Sequence, residues 1–385
     1  MKLNHPISQL FVILTCSACI TEFEAKIDEV ANILVVEGII TDDESIITLN
    51  RSKGLSYEDN IKDMSPYHVT DAKVYIECDD GTQWGATDQN SGKYTIQTGK
   101  LNIERQYRLK IESEEHIYHS EFASPMIPPE IDSVFWIKQG QYVKIYVASH
   151  DPDSTTQFYR WTFQEVWTYT SNLRVFPDDN PFYPDGFPFF CWDRANNTGL
   201  LLGSSEKTVS GKITSQLTEI LPWDDRLSIL YRIEVGQHVI GKRAYKYFDN
   251  IKKNARQTGS LFARIPSDVI GNIICTTDRS RMVIGHVDVS SATRKKLYIS
   301  TRDIGGYYDP PKVDYCDVLY PYMLSYPYYY QLYGGKIPES YIVWQWEIIR
   351  QTNELVPTAY VDSKCVDCTL KGGTTQKPED WHDQY

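Results

Sequence analysis

The stretch Ile33-Leu34-Val35-Val36-Glu37-Gly38-Ile39-Ile40 decides the fold class. Its β-branched residues suit a pleated, half-buried surface, and Asp42-Asp43 stops the run. Toward the C-terminus, residues 45–49 form a second short run that ends at Asn50. A loop rich in Ser, Asp and Asn then reaches Pro66. Ala72-Lys73-Val74-Tyr75-Ile76-Glu77 alternates with period two, and Asp79-Asp80-Gly81 turns the chain back into Gln83-Trp84. Residues 92–96 and 106–111 add two more runs. Short strands separated by turn signals predict an immunoglobulin-like or prealbumin-like β-sandwich over residues 33–125.

Upstream of that stretch, residues 1–18 read as a lipoprotein signal peptide. Lys2 supplies a positive start, Leu10-Phe11-Val12-Ile13-Leu14 a short apolar run, and Ser17-Ala18 lead into Cys19. Small residues before a cysteine resemble the bacterial lipobox, in which the thiol is acylated and becomes the mature N-terminus. Cys16 stands where that pattern usually has Leu. Cys19 is therefore the predicted lipidation site, and several acyl chains there would hold the protein stably on a membrane. The apolar run itself is too short to cross a bilayer. Residues 19–32 read as a tether. Its Glu22, Glu24, Asp28 and Glu29 resemble the surface-export signals of Bacteroidetes lipoproteins.

Downstream, Pro125, Pro128 and Pro129 stiffen a connector, and residues 126–385 read as a larger β-rich domain. Residues 131–136, 142–147, 159–169, 227–235, 282–289, 296–301 and 341–348 are its predicted strands. Residues 176–192 read as a long surface loop of Pro, Asp, Phe and Tyr, and residues 305–335 as a second, dominated by Tyr and Pro. One helix is inserted, at about residues 242–257. Tyr245, Phe248, Ile251 and Ala255 share a face there, Thr258-Gly259 closes it, and Lys252, Lys253 and Arg256 suit its C-terminal dipole. The fold class is mainly β.

Composition narrows the function. A chain with 41% hydrophobic and 23% charged residues is globular rather than disordered. A net charge of −12 with no Lys/Arg stripe repels phosphate backbones, which argues against nucleic acid as a partner. The 28 Tyr and 9 Trp join apolar bodies to polar tips, as contact surfaces do. The candidate interface aromatics are Phe187, Phe190 and Trp192 in the first loop, and Tyr320, Tyr322, Tyr328, Tyr329 and Tyr330 in the second. Core packing is the competing reading for the same residues.

No G-x-S-x-G, H-E-x-x-H, P-loop or G-x-G-x-x-G occurs, so no catalytic residue, cofactor or metal ligand is assigned. Cys365 and Cys368 form a single CxxC. A zinc ribbon needs two such pairs, and Lys371-Gly372-Gly373 opposes the helix that a redox CxxC opens. Besides Cys19 the mature chain keeps Cys78, Cys191, Cys275, Cys316, Cys365 and Cys368. Six cysteines allow fifteen disulfide pairings. The favoured ones join Cys191 to Cys275, and the two tail cysteines to each other or to Cys316.

The closing run Cys365-Val366-Asp367-Cys368-Thr369-Leu370-Lys371-Gly372-Gly373-Thr374, with Lys377-Pro378 and Trp381, resembles the C-terminal signature of the DUF4249 family of Bacteroidetes outer-membrane lipoproteins. Pro266-Ser267 with Gly271-Asn272-Ile273, Phe190-Cys191-Trp192 and Leu34-Val35-Val36-Glu37-Gly38 add to the likeness. Members are often encoded beside TonB-dependent receptors. The resemblance implies a non-enzymatic accessory or binding partner of such a transporter at the outer membrane, and it carries over no catalytic residues. The alternative is a surface glycan-binding lipoprotein, because flat aromatic faces stack on sugar rings. An enzyme would need a deep cleft with clustered carboxylates or a nucleophile–base pair.

Overall fold

The structure is a computed structural model that describes residues 33–52, 67–88, 91–152, 156–175, 181–197, 199–208, 210–258, 271–305, 316–325 and 336–381. The signal peptide, Cys19 and the tether lie outside these residues.

The first sandwich begins as expected. Strands β1 (Leu34–Ile40), β2 (Asp43–Arg51), β3 (Lys73–Cys78), β4 (Gln83–Gly85), β5 (Thr87–Asp88), β6 (Lys93–Gly99), β7 (Tyr107–Ser113) and β8 (His116–Ser120) fall into two sheets. Alternation points Val74 and Ile76 of one sheet at Ile47, Leu49, Tyr94 and Ile96 of the other. Gly81 takes a positive φ of 90° in the turn between β3 and β4, the conformation glycine adopts freely. Gly38 sits where β1 and β2 approach closely. A Cβ there would lie 2.8 Å from the Ile46 carbonyl oxygen.

The second sandwich follows the proline connector. Strands β9 (Ile131–Gln139), β10 (Tyr142–His150) and β14 (Lys212–Ile220) form one sheet. The other holds β11 (Phe158–Thr170), β12 (Phe190–Asn196), β13 (Leu201–Ser204) and β15 (Leu230–Val239). Val143, Ile145 and Val147 from the first meet Tyr159, Trp161, Ile233 and Val235 from the second, all buried. Full burial of such side chains stabilises by about 1.5–3 kcal/mol each. The Trp161 indole N–H donates to the Gln237 side-chain oxygen at 2.9 Å, and the Gln237 side-chain nitrogen donates to the Pro129 main-chain carbonyl at 2.9 Å. The connector is thereby tied into the core.

Helix α1 (Lys242–Thr258) follows β15. Ala244, Tyr247, Phe248 and Ile251 bury its apolar face against Phe158 and Ile240. Its Tyr247 and Phe248 rings also reach His286, with centroids 5.7 and 6.0 Å apart. The chain then returns to the first sandwich. Strand β16 (Ile273–Cys275) pairs antiparallel with β8, while β17 (Val283–Gly285) and β18 (Asp288–Val289) pair parallel with β1. It crosses again so that β19 (Thr293–Ser300) lies beside β15. The sandwich begun by residues 33–125 is thus finished by residues 273–289. That return is absent from a reading taken in chain order.

A third, smaller unit closes the chain. β20 (Tyr341–Ile349) and β21 (Glu354–Asp362) form an antiparallel ribbon, and Val361 and Val366 pack with Val175. Phe190, Cys191 and Trp192 belong to β12 rather than to the loop foreseen over residues 176–192. They pair with Thr170, Tyr169 and Thr168 of β11. Among the described residues, no helix is long and apolar enough to cross a membrane.

Candidate functional site

β11 is 13 residues long, whereas β10 and β14 in the facing sheet have nine each. The longer strand carries the inner face of its sheet past the end of the core. Tyr159, Trp161 and Phe163 point into the core, so alternation keeps Glu165, Trp167 and Tyr169 on that same face. β12 places Ala195, Asp193 and Cys191 directly opposite them. Glu165, Trp167, Tyr169, Asp193 and Ala195 floor a pocket of about 290 Å³ whose lining also includes Asp224, Asp225, Arg226 and Lys371. No residue of the β9–β10–β14 sheet lines it.

One wall is the short 3-10 turn Asp225–Leu227, capped by Asp224, whose carboxylate accepts from the Arg226 amide. The Arg226 guanidinium donates through Nε and Nη2 to Asp224, each at 3.0 Å, and through Nη1 to Glu165 at 3.1 Å. The Tyr231 hydroxyl donates to Glu165 at 2.7 Å. Burial works against charge on Asp224, but the bonds from Arg226 outweigh it and hold the carboxyl below its ordinary range. Burial pushes the Tyr169 phenol up to about 12, and the nearby Asp193 adds to the shift.

The other wall is the C-terminal tail, held by a disulfide. Cys191 bonds Cys368 with their Cα atoms 5.8 Å apart. The Tyr169 hydroxyl donates to the Cys368 carbonyl at 2.8 Å, and the Trp192 and Thr374 main chains exchange two hydrogen bonds at 2.8 Å. This anchoring puts Lys371 over the pocket. Its ammonium lies 5.8 Å from the Tyr169 ring centroid and donates to the Asn172 side-chain oxygen at 2.7 Å. Burial lowers the pKa of Lys371, with Asp225 opposing the shift. Beyond the pocket the tail continues over the opposite face of the sheet. Trp381 packs there with Val166 and Leu230, and Asp380 binds Arg232 and Lys296.

One tail cysteine bonds Cys316 as expected, whereas the other takes Cys191. Cys316 bonds Cys365 and Cys191 bonds Cys368, so Cys365 and Cys368 do not bond each other. Cys275 is not Cys191's partner. It is a buried free thiol in the first sandwich, as is Cys78. The physical reason is the chain's return: β16 carries Cys275 back to the first core, away from β12.

The aromatic candidates divide. Phe187 is half-buried against the Val175–Val361–Val366 cluster. Trp192 is half-buried against Val166, Leu230 and Trp381, on the face of β12 opposite to Asp193. Both serve packing. Phe190 is 53% exposed and Tyr322 63%, with the Tyr320 and Tyr322 rings stacked 5.6 Å apart. Tyr328, Tyr329 and Tyr330 lie outside the described residues. Trp167, Asp193, Asp225 and Lys371 were not singled out from sequence. The alternation in β11 groups Glu165, Trp167 and Tyr169, but only strand pairing and the disulfide bring the others to them.

A family model described as "Domain of unknown function (DUF4249)" matches residues 20–296. No curated protein matches the chain. A segment of two fibronectin type-III domains from chicken tenascin is 10% identical, covering 54% of this chain and 91% of that one with a TM-score of 0.15. The Yersinia pseudotuberculosis adhesin InvE is 17% identical, with 54% of this chain covered and a TM-score of 0.15. The match spans 56% of the adhesin chain.

Proposed function

This chain belongs to the DUF4249 family, and from that premise we propose that it is a non-enzymatic outer-membrane lipoprotein, anchored through Cys19, that serves a TonB-dependent transporter as accessory or binding partner. The observation that carries this reading is the surface of the C-terminal unit. Two disulfides cross-link that unit to its surroundings, yet Phe190, Tyr322, Ile348, Ile349 and Leu355 stand open to solvent on or beside it. Apolar groups held rigidly outward lose little conformational freedom on docking, which is how aromatic anchors stabilise interfaces.

The test is affinity capture of the tagged chain from cross-linked outer membranes. A β-barrel transporter is expected with the wild type, and its yield is expected to fall at least tenfold with Phe190→Ser combined with Tyr322→Ser. Recovery of the wild type without any barrel protein overturns the proposal. Cys19→Ser is expected to release the chain into the soluble fraction.

A further inference from the structure

The pocket on the inner face of β11 and β12 is not used by the docking surface, and its lining has a chemistry of its own. We infer that it is a binding site for a single neutral sugar ring, stacked on Trp167 and gripped at its hydroxyls by Asp193 and Lys371. The argument does not depend on a transporter partner.

Three observations carry it. The first is shape. About 290 Å³ lies at the small end of ligand pockets, enough for one six-membered ring. The second is the floor. Trp167 is half-buried from beneath and lines the pocket. The C–H face of a pyranose is apolar and slightly positive, which suits the negative face of an indole. The third is the mixture of charges around that floor. Four carboxylates (Glu165, Asp193, Asp224 and Asp225) face two cations, Arg226 and Lys371.

Of these groups, Glu165, Arg226 and Asp224 are bonded to one another and form a fixed wall. Asp193 accepts from the Arg194 main chain through one carboxylate oxygen. The Lys371 ammonium has three donors, and Asn172 takes one. The rim therefore offers acceptors and donors side by side. A hydroxyl both donates and accepts, so vicinal hydroxyls satisfy such a rim. An anion would face the excess of carboxylates. A purely apolar ligand would strip water from Asp193 and Lys371 and return no hydrogen bond, which is costly for charged groups.

The strand ends set the floor and the Cys191–Cys368 disulfide sets Lys371, so the site is built before a ligand arrives. Titration of the oxidised chain with the methyl glycosides of glucose, galactose, mannose and N-acetylglucosamine tests this. Tryptophan fluorescence and ligand-observed NMR give the readouts, with choline and acetate as charged controls. At least one glycoside is expected to bind, with a Kd of roughly millimolar. Trp167→Ala is expected to weaken it at least tenfold, and the near-isosteric Asp193→Asn at least threefold. Trp346→Ala, on the β20–β21 ribbon, is expected to leave it unchanged. Reduction of the disulfides is expected to weaken binding as Lys371 leaves its place. Three results overturn the inference: no glycoside binds, choline or acetate binds in preference, or Trp167→Ala and Asp193→Asn both bind as tightly as the wild type.

Discussion

The first sandwich is completed by strands that return to it, β16 on β8 and β17 and β18 on β1. The second is closed beyond its core by side chains and cross-links from a C-terminal tail. Cys78 and Cys275 sit unbonded in the first core, which relies on apolar packing and main-chain pairing. Both disulfides lie at the second sandwich and its C-terminal unit. Main-chain pairing seals an edge evenly along its length. Closure by a tail can leave an opening at one chosen point, and the pocket over Trp167 is such an opening. Binding chemistry collects where closure was left to side chains.

Perturbations of each sandwich sharpen or break that contrast. The largest effect is expected from Trp161→Ala, which empties the centre of the second core and abandons the bond to Gln237. It should cost about 3–5 kcal/mol. Calorimetry should show the second sandwich melting early while the first holds, and a single transition shifted as a whole would erase the distinction. Next comes Cys191→Ser with Cys368→Ser. Loss of a link spanning 177 residues should cost about 2–4 kcal/mol in denaturant titrations. Amide exchange should rise at Trp192 and Thr374, and unchanged exchange there would mean that the tail holds without its bond.

In the first sandwich, Gly285→Ala would place a Cβ 2.6 Å from the Val36 carbonyl oxygen, forcing β17 away from β1. A cost of about 1–3 kcal/mol is expected. It should be read as faster exchange along β1, with the second sandwich untouched. The smallest effect belongs to Asp380. Bonds from Arg232, then Lys296, hold its carboxyl down at about 2. A depressed carboxylate contributes stability in full above its unfolded value of about 4, and that contribution fades as pH falls through about 2. Asp380 is half exposed, so Asp380→Asn should cost under about 1 kcal/mol at pH 7 and nothing below pH 2. An equal cost at both pH values would show that charge is not the cause.

The first sandwich was legible where alternation is strong. The runs around Leu34, Val74 and Ile96 read directly as β1, β3 and β6, and the period of Tyr245, Phe248 and Ile251 gave the helix nearly to its ends. Residues 282–289 read as one strand and hold β17 and β18, but their return to the first sandwich did not show, and β16, with three residues, is too short for any periodicity to register. β12 and β14 were hidden for another reason: their polar residues dilute the pattern, as edge strands tend to do. The pocket was the least legible. Trp167 and Lys371 meet only because Cys191 chooses Cys368 over the four other cysteines of the folded chain, a choice no local pattern encodes.

The return of residues 273–289 also sets a timetable. Synthesis runs from the N-terminus, so the free flanks of β1 and β8 must wait while the whole neighbouring sandwich emerges. During that interval they are ready templates for pairing with another copy. A fragment ending at residue 125 would keep that flaw permanently. The two lobes are therefore stitched rather than strung, and neither could be inherited or exchanged as a separate cassette.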